Sequence, residues 1–405
     1  MHKILVVTHG WPPESTAGTE RLAAITVAEL QRRGFDVALF TTWDSPEPPA
    51  GLPADRIFTA PRVKKAALWQ DISFQQKRRF RRALRLFRPS VVYIHHTLYL
   101  SYDLPLVAKK FGARVVFMTH DFWLACPRST LLAKDGSLTT LIDRQRCAQC
   151  LALHDHLAAR HNPLIRLLAR PWLARLLLRR RDRLEKQIYR SVDAFISPSR
   201  TVARVLGRRG IPPNKLWVIP YGLPRLTSHR RPSRTIRFGF IGTLAPHKGT
   251  AWLIETFSRM HLPSATLTIW GPLAKPAELA GLEGQSRVRY AGCFPIDQTA
   301  VIYDQIDCLI VPSQWPENQP LVILQAWLTG TPVITADLGG LAELVTNHQN
   351  GLLYRWLDQA DLARQITRFA SDSTLRSRLA QGAANTPVPT VEEHIDRILP
   401  ILLSD

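Results

Sequence analysis

Residues 306–337 read IDCLIVPSQWPENQPLVILQAWLTGTPVITAD. Residues 306–312 form an apolar run that ends in proline, which predicts a buried parallel strand. Residues 321–328 are apolar and lack glycine and proline, which predicts a buried helix, and residues 330–335 predict a second strand. This order is typical of an open α/β sheet, where ligands bind beyond the carboxyl ends of the strands. Glu317 follows such an end, and the first amides of the next helix would face an anion bound there.

The same stretch resembles the signature block of the retaining family-4 glycosyltransferases, which have the GT-B fold. That block is a Glu, seven residues, a second Glu, a strand and then Gly-Gly-x-x-Glu. This chain has Glu317, then Gln325 in place of the second Glu, and then Gly339-Gly340-Leu341-Ala342-Glu343. The resemblance covers nearly the whole chain and is strongest from residue 236 to residue 353. It implies an α/β protein with two Rossmann-like, doubly wound parallel-sheet domains facing a central cleft.

The length and the strand pattern also favour two domains. A chain of 405 residues can bury two separate cores. Buried strands are predicted at residues 4–7, 37–41, 91–94, 115–118 and 194–197, and again at 236–241, 265–270, 288–291, 308–311 and 333–335. We therefore predict an acceptor-binding domain at 1–222 with an insertion around 126–160, a linker at 223–235 and a donor-binding domain at 236–390. The resemblance implies that a final helix, residues 391–405, crosses back to the first domain.

The charge is concentrated in the first half of the chain. The net charge is +21, of which the first 233 residues carry +24 and the rest −3. Two basic segments dominate, residues 64–88 and 160–190, and residues 164–170 place apolar side chains on one helical face with arginines opposite. A lipid-linked acceptor would bring this domain to an anionic leaflet, where each basic residue contributes about 1 kcal/mol. The other interpretations are a solvated surface and a soluble anionic glycan acceptor.

The chain has no apolar run of the ~20 residues that span a bilayer. Its amino-terminal apolar run is too short for a signal peptide. We expect a cytoplasmic protein that is peripheral on the inner face of the membrane.

Lys248 follows the predicted strand at residues 236–241 by a short loop, so its ammonium could reach a diphosphate at the next helix. A lysine in such a turn can also be merely solvated. In the family pattern an arginine precedes it, where this chain has Thr243. The resemblance implies that Glu317 contacts the donor sugar and that Gln325 contacts the ribose, whereas Glu317 could alternatively cap the helix. The predicted donor-binding residues are Gly18, Thr243, Lys248, Gly292, Phe294, Glu317, Asn318, Pro320, Leu321, Val322 and Gln325.

His120 and Asp121 follow the predicted strand at 115–118 and are similar to a His-Asp pair of the family. The resemblance implies that His120 contacts the donor sugar, although a lone histidine at a strand end is more often a structural hydrogen bonder. It further implies a catalytic set of Glu317, Lys248 and His120, with retention of configuration and no catalytic metal. The donor would be a UDP- or GDP-linked sugar, and the acceptor a lipid-linked or glycan molecule of cell-surface polysaccharide or glycolipid biosynthesis.

Two other functions fit parts of the sequence. The high basic charge with interleaved aromatic residues is compatible with nucleic-acid binding, although no nucleic-acid motif is present and we expect no such partner. The replacements Thr243 and Gln325 are compatible with a protein that binds the donor without turnover.

Three cysteines cluster in the predicted insertion. Cys126 is followed by Cys147 and Cys150, whose spacing is that of a zinc half-site, and then by His154. A structural zinc site and a group of reduced thiols are equally compatible with this pattern, with His156 as an alternative ligand. A disulfide is disfavoured in a cytoplasmic chain.

Overall fold

The computed structural model describes residues 2–45, 47–63, 72–133, 135–139, 144–158, 171–274, 276–279, 282 and 285–404. The predicted interfacial face at 164–170 and the first part of the basic segment 64–88 lie outside these residues. The described chain divides into two compact units, Met1–Gly222 with Val391–Asp405, and Leu223–Thr390.

Each unit contains one sheet of parallel strands. In the first unit the order is β3-β2-β1-β4-β5-β6-β7, and in the second it is β10-β9-β8-β11-β12-β13. The first sheet comprises β1 (Lys3–Thr8), β2 (Asp36–Thr42), β3 (Ile57–Ala60), β4 (Val91–Ile94), β5 (Arg114–Met118), β6 (Ala194–Ser197) and β7 (Leu216–Val218). The second comprises β8 (Ile236–Ile241), β9 (Ala265–Trp270), β10 (Val288–Gly292), β11 (Cys308–Val311), β12 (Val333–Ala336) and β13 (Gly351–Tyr354). The two predicted parallel-sheet domains are confirmed.

Helices connect the strands. Those of the first unit are α1 (Gly18–Arg32), α2 (Phe74–Phe87), α3 (Leu104–Lys110), α4 (Arg144–Ala158), α5 (Pro171–Ser191) and α6 (Arg200–Arg208). Those of the second are α7 (Thr250–Arg259), α8 (Thr299–Tyr303), α9 (Leu321–Leu328), α10 (Gly339–Leu344), α11 (Gln359–Ser371) and α12 (Ser373–Ala384). The last helix, α13 (Val391–Leu403), belongs to the first unit.

The central strands were predicted because they are buried on both faces and therefore read as continuous apolar runs. In β1, the side chains of Ile4 to Val7 are fully buried. Three edge strands, β3, β7 and β13, were not predicted. β7 has only three residues, and Trp217 and Val218 in it are exposed, so its sequence lacks the pattern of a buried strand.

Helix α2 shows that the basic segment is not one uniform surface. The Ser73 side chain caps the helix by accepting from the amide of Gln76, and the apolar face packs inward through Phe80 and Phe87. Lys77 also points inward, where its Nζ lies 2.9 Å from Asp103 Oδ2. The basic segment 64–88 was expected to face an anionic surface. This expectation is wrong for Lys77, because its charge is neutralised inside the unit.

The last helix and the linker are each held in place by side-chain hydrogen bonds. Helix α13 packs against α1, β4 and β5, and the guanidinium of Arg114 donates to the carbonyl of Ile401 at 2.9 Å. Residues 223–235, predicted as a linker, form neither helix nor strand. They are held to the second unit, where Ser228 Oγ lies 2.6 Å from Asp304 Oδ1. None of the helices in the described part of the chain has the length and apolar character needed to span a membrane.

Candidate active site

In the second unit, one carboxylate oxygen collects three donors. Oε1 of Glu317 accepts from Lys248 Nζ at 2.5 Å, from Ser313 Oγ at 2.7 Å and from Trp315 Nε1 at 2.9 Å. Glu317 is only 5% exposed, and the Lys248 ammonium also lies 5.1 Å from the centre of the Trp315 ring. A hydrogen bond between two charged groups is stronger than one between neutral groups. The Glu317 side chain is therefore fixed, and its Oε2 is the oxygen that can accept from a ligand.

The backbone brings Lys248 to Glu317 through a close approach of two strand ends. Gly249 follows Lys248 with a φ of +73°, and a Cβ at this position would lie 2.2 Å from the carbonyl oxygen of Pro312. Any other residue would push the Lys248 loop away from the end of β11. The glycine after the lysine is thus required by the packing of the site.

The Gly-Gly pair of the signature block packs beneath the same turn. The amide of Gly340 donates to the Glu317 carbonyl at 3.0 Å. A Cβ on Gly340 would lie 1.7 Å from the Asn318 carbonyl oxygen. Helix α10 can therefore start directly against the Glu317 turn, which explains why two glycines stand at this distance from the carboxylate.

The other residues predicted to bind the donor are distributed as follows. Pro320 is the N-cap residue of α9, so the amides of Leu321 and Val322 lie in the first turn, where a helix offers them no acceptor. Asn318 is buried beside them and Gln325 is half-buried one turn further on. Thr243 is exposed after β8, while Gly292 ends β10 and the half-buried Phe294 follows it. Gly18 starts α1 in the first unit.

Strand β8 pairs with β11 and is separated from β10 by the single strand β9. Because all of these strands are parallel, their carboxyl ends share an edge. This edge carries Thr243, Lys248, Gly292 and Glu317. The sequence-predicted donor residues of the second unit therefore converge there, as open α/β sheets require for a ligand site. The roles of the individual residues stay predictions.

In the first unit, histidines follow three neighbouring strands. His9 comes directly after β1, His95 and His96 after β4, and His120 shortly after β5. His120 is hydrogen-bonded at both ring nitrogens: Nε2 lies 3.0 Å from His95 Nδ1, and Nδ1 lies 2.7 Å from the Tyr221 hydroxyl. The side chain is thus a structural hydrogen bonder, and its predicted sugar contact stays a prediction that must respect these two partners.

A second pair in this unit joins His9 to Glu20. His9 Nε2 lies 3.1 Å from Glu20 Oε1, which also accepts from Ser15 Oγ at 2.7 Å. Burial by itself would raise the pKa of Glu20, but the hydrogen bonds from His9 and Ser15 outweigh it and lower that pKa to about 2. Burial lowers the pKa of His9. Glu20 is accordingly ionised at neutral pH and orients a neutral His9.

His96 and Asp121 form a third polar pair, with His96 Nε2 3.2 Å from Asp121 Oδ2. The other oxygen of Asp121 accepts from the amide of Trp123 at 2.7 Å. The His9 and His96 rings are 4.7 Å apart. The His9 and His96 rings therefore lie side by side, with the Glu20 carboxylate bonded to His9 and the Asp121 carboxylate bonded to His96.

Several of these residues were missed by the sequence reasoning: Ser15, Glu20, His9, His95, His96, Tyr221, Ser313 and Trp315. A signal existed for the histidines, since they follow predicted strands as Glu317 does. No local pattern marks Tyr221, which is 101 residues from His120. The role of Trp315 depends on how its turn folds, which composition does not reveal.

The cysteines predicted as a zinc site are all free in the described chain. Arg128 Nη1 lies 3.4 Å from Cys150 Sγ. Burial raises the pKa of both the Cys126 and the Cys147 thiol. Among the residues that the structure describes, no group of three or more His, Cys, Asp or Glu could hold a metal ion. The side chain of His154 lies outside the description, so zinc stays a prediction.

Two family models match the chain. A model described as Glycosyltransferase Family 4 matches residues 16–224, which is more than half of the chain, and one described as Glycosyl transferases group 1 matches residues 235–372. The chain belongs to glycosyltransferase family 4. Its likeness to solved structures agrees with the GT-B fold that the resemblance implied.

Curated relatives of this family member match it only in part. A D-inositol 3-phosphate glycosyltransferase of Stackebrandtia nassauensis is 28% identical over 226 residues, covering 49% of this chain and 51% of the relative. A lipopolysaccharide core biosynthesis glycosyltransferase of Rhizobium meliloti, LpsE, is 33% identical over 156 residues, covering 36% and 43%. The chain thus spans about half the length, or less, of the curated relatives it matches.

Solved structures match it along its whole length. HepE of Anabaena, crystallised with UDP and glucose, has a TM-score of 0.71 at 17% identity and covers 100% of both chains. Sucrose-phosphate synthase of Thermosynechococcus elongatus has a TM-score of 0.69 at 18% identity, covering 95% of this chain and 93% of that one. At these identities the likeness concerns the fold.

Proposed function

We propose that this family member transfers a sugar from a nucleoside-diphosphate sugar to an acceptor hydroxyl with retention of configuration. The observation that carries the proposal is the Glu317 carboxylate, held by Lys248 at the carboxyl edge of the second sheet and directly before the free amides of α9. A carboxylate suits sugar hydroxyls, and a helix N-terminus with a lysine suits a diphosphate. The anion and the sugar would thus meet complementary groups within one turn of chain.

Lys248 can serve both partners at once. An ammonium has three N–H donors, of which one is engaged with Glu317. The remaining donors and the amides of Leu321 and Val322 would neutralise the charge that develops on the leaving diphosphate. Preorganised donors of this kind are usually the largest electrostatic contribution to catalysis. The positive charge for the step is thus supplied by the protein, and we propose that no catalytic metal is required.

The proposed transfer needs no nucleophile from the protein. The bond from the anomeric carbon to the diphosphate oxygen breaks, and the acceptor oxygen forms its bond to the same face of that carbon. The acceptor's proton passes to the leaving diphosphate oxygen. Glu317 would hold the sugar through Oε2, and Gln325 would hold the ribose hydroxyls through its amide.

The donor is proposed to be UDP-linked or GDP-linked. Anabaena HepE has been crystallised with UDP and with UDP-glucose, which supports a UDP-sugar as the first donor to test. The acceptor is proposed to be a lipid-linked or glycan molecule of cell-surface polysaccharide or glycolipid biosynthesis. The relative from Rhizobium meliloti, named for lipopolysaccharide core biosynthesis, supports that class.

The decisive test is binding and turnover with a panel of nucleotides and nucleotide sugars. We expect UDP or GDP to raise the melting temperature, and the matching sugar nucleotide to be hydrolysed slowly without an acceptor and in the presence of EDTA. If neither nucleotide binds, the assignment of the second unit fails. If nucleotide binds but no sugar nucleotide is turned over, a donor-binding protein without turnover becomes the better interpretation.

We further propose that the first unit docks peripherally on an anionic membrane surface. The outer side of α2 exposes Phe74 and Leu86, 80% and 64% exposed. Between them lie exposed arginines, Arg78, Arg79, Arg81, Arg82 and Arg85. The outer side of α5 repeats this combination with exposed Trp172 and Leu176 beside Arg175, Arg179 and Arg180. Arginines with apolar side chains between them suit an interface of anionic headgroups and acyl chains.

Replacing Arg78, Arg81, Arg82 and Arg85 by glutamine should lower the fraction that sediments with anionic vesicles by about tenfold or more at low salt, since each basic residue near such a surface contributes about 1 kcal/mol. Binding should also weaken as salt rises, because screening acts over about 8 Å at physiological ionic strength. The matched control replaces four exposed arginines of the second unit, Arg259, Arg364, Arg368 and Arg378. Equal loss in both variants would mean that total charge, and not this face, determines binding. If the wild type does not bind anionic vesicles, the proposal of membrane docking fails, and a soluble anionic glycan acceptor becomes the better explanation of the basic surface.

A further inference from the structure

Three aromatic rings of the first unit form one hydrogen-bonded chain. His95 Nδ1 meets His120 Nε2 at 3.0 Å, and His120 Nδ1 meets the Tyr221 hydroxyl at 2.7 Å. Neighbouring ring planes differ by only 17° and 18°. The planes of the three rings are therefore nearly parallel, and the nitrogen and oxygen atoms meet at hydrogen-bond distances.

Both ring nitrogens of His120 are occupied by these hydrogen bonds. A neutral imidazole has one N–H donor and one acceptor, so the two contacts must have opposite senses. Either Tyr221 donates to Nδ1 and Nε2–H donates to His95, or His95 donates to Nε2 and Nδ1–H donates to Tyr221. In both cases no ring nitrogen of His120 is left for a sugar hydroxyl or for a proton from substrate.

The surroundings keep all three rings neutral. His95 and Tyr221 are 1% and 3% exposed. Burial lowers the pKa of His95 to about 3 and that of His120 well below its usual value, and burial raises the pKa of Tyr221. The other titratable groups that act on these three rings are His9, His96, His394, Tyr93 and Asp121. His120 is thus held as a neutral ring throughout the physiological range.

His95 and Tyr221, the two outer rings of this hydrogen-bonded group, are themselves held by neighbouring residues. The Tyr93 ring lies 4.6 Å from His95 in an edge-on contact. Next to Tyr221, the carbonyl of Pro220 lies 2.8 Å from His394 Nδ1 on α13. The position of the Tyr221 hydroxyl is therefore set by the sheet edge and by the last helix, both parts of the same unit.

We propose that Tyr221 and His95 are positioning residues that fix the orientation and tautomer of His120, and that His120 takes part in sugar transfer without exchanging a proton. This rests on the proposed function and on the predicted placement of His120 beside the donor sugar. Contact with the sugar is then left to the face and carbon edge of the ring. Acid–base catalysis by His120 is excluded by the same geometry.

The test is Tyr221→Phe, which removes only the hydroxyl. With UDP-glucose, or with whichever sugar nucleotide the wild type hydrolyses, we expect kcat to fall about tenfold while the Kd of UDP stays within twofold. Burial, and not the Tyr221 hydroxyl, lowers the pKa of His120, so neither the wild type nor Tyr221→Phe should show an ionisation of His120 between pH 5.5 and 8, and the fall in kcat should be the same across that range. Tyr189→Phe is the matched control, since it removes another buried hydroxyl of this unit, one that donates to the Leu124 carbonyl.

A second readout does not depend on activity. The ring nitrogen resonances of 15N-labelled histidine, assigned to His120 by their loss in His120→Gln, report tautomer and protonation directly. We expect one neutral tautomer from pH 5.5 to 8 in the wild type and a mixture of the two neutral tautomers in Tyr221→Phe, where Nδ1 has lost its hydrogen-bond partner. If Tyr221→Phe does not fold, His95→Asn, which can still hydrogen-bond Nε2, should keep kcat near wild type, and His95→Ala should lower it.

The outcomes separate this inference from the proposed function. If the wild type turns over no donor but the resonances behave as expected, the proposed function fails while the locked His120 stands. The inference is overturned if His120 titrates between pH 5.5 and 8 in the wild type, or if Tyr221→Phe and His95→Ala leave kcat and the tautomer of His120 unchanged. It is also overturned if Tyr189→Phe lowers kcat as much as Tyr221→Phe does.

Discussion

The two sheet edges carry polar groups of different kinds. At the edge of the second unit, opposite charges meet directly, with Lys248 Nζ 2.5 Å from Glu317 Oε1. At the edge of the first unit, His95, His120 and Tyr221 are neutral rings joined by hydrogen bonds. Charges attract a charged ligand and respond to charge that develops on it, whereas neutral rings fix direction. We therefore expect the second edge to control donor binding and bond cleavage, and the first to control orientation.

The largest expected effect is that of Lys248→Ala. It removes the cation nearest to the proposed diphosphate and leaves the Glu317 carboxylate without its charged partner. Loss of one preorganised donor to developing charge costs about 10²–10³-fold in kcat, so we expect a loss of that order, together with weaker UDP binding. Steady-state kinetics and calorimetry measure the two. Arg259→Ala, an equal charge change at an exposed site of the same unit, should change neither, and wild-type activity of Lys248→Ala would remove the lysine from the site.

Glu317→Gln separates sugar contact from phosphate contact. The amide oxygen can still accept from Ser313 and Trp315, so the turn should keep its shape. We expect kcat to fall about 10²-fold, the scale on which one electrostatic group acts in catalysis. The Kd of UDP should stay within about twofold, because Lys248 is released and not lost. A large loss of UDP affinity with normal kcat would instead identify Glu317 as a group that only supports the helix.

The two edges also differ in how far the sequence predicted them. The strand and helix around Glu317 were predicted at residues 308–311 and 321–328 and are confirmed, because a buried strand and helix leave a strong apolar pattern. The ion pair between Lys248 and Glu317 could not be predicted from the sequence. It depends on Gly249, which allows two turns that are far apart in the sequence to approach each other closely. The chain of rings in the first unit joins residues more than 100 positions apart. Histidines after strands were visible, but the partners that fix their roles follow only from the folded backbone.

The neutral state of His95 at the first edge has a consequence for stability. The folded pKa of His95 is about 3, against 6.5 in the unfolded chain. Between pH 6.5 and 3 the His95 ring therefore binds a proton in the unfolded state but not in the folded state. The free energy of unfolding accordingly decreases as the pH falls through this range. At pH 5.5 we expect His95→Asn to take up about 0.9 fewer protons on unfolding than the wild type. Proton uptake during denaturation, measured in buffers of different ionisation enthalpy, tests this, and an unchanged uptake would mean that His95 is protonated in the folded protein.

The smallest expected effect is at Gln325, which stands where the family pattern has a glutamate. Its side chain is half-buried on α9, one turn beyond the amides of Leu321 and Val322. If it accepts hydrogen bonds from the ribose hydroxyls, Gln325→Glu should tighten UDP binding by a few-fold, because a carboxylate accepts more strongly than an amide. The diphosphate is close enough to reduce that gain by repulsion, so the comparison ligand is uridine, which lacks phosphate. We expect uridine to gain more affinity than UDP from the substitution. A loss of affinity for both ligands would show that the site has been rebuilt around a neutral side chain, and that the charge of the second edge is confined to Glu317 and Lys248.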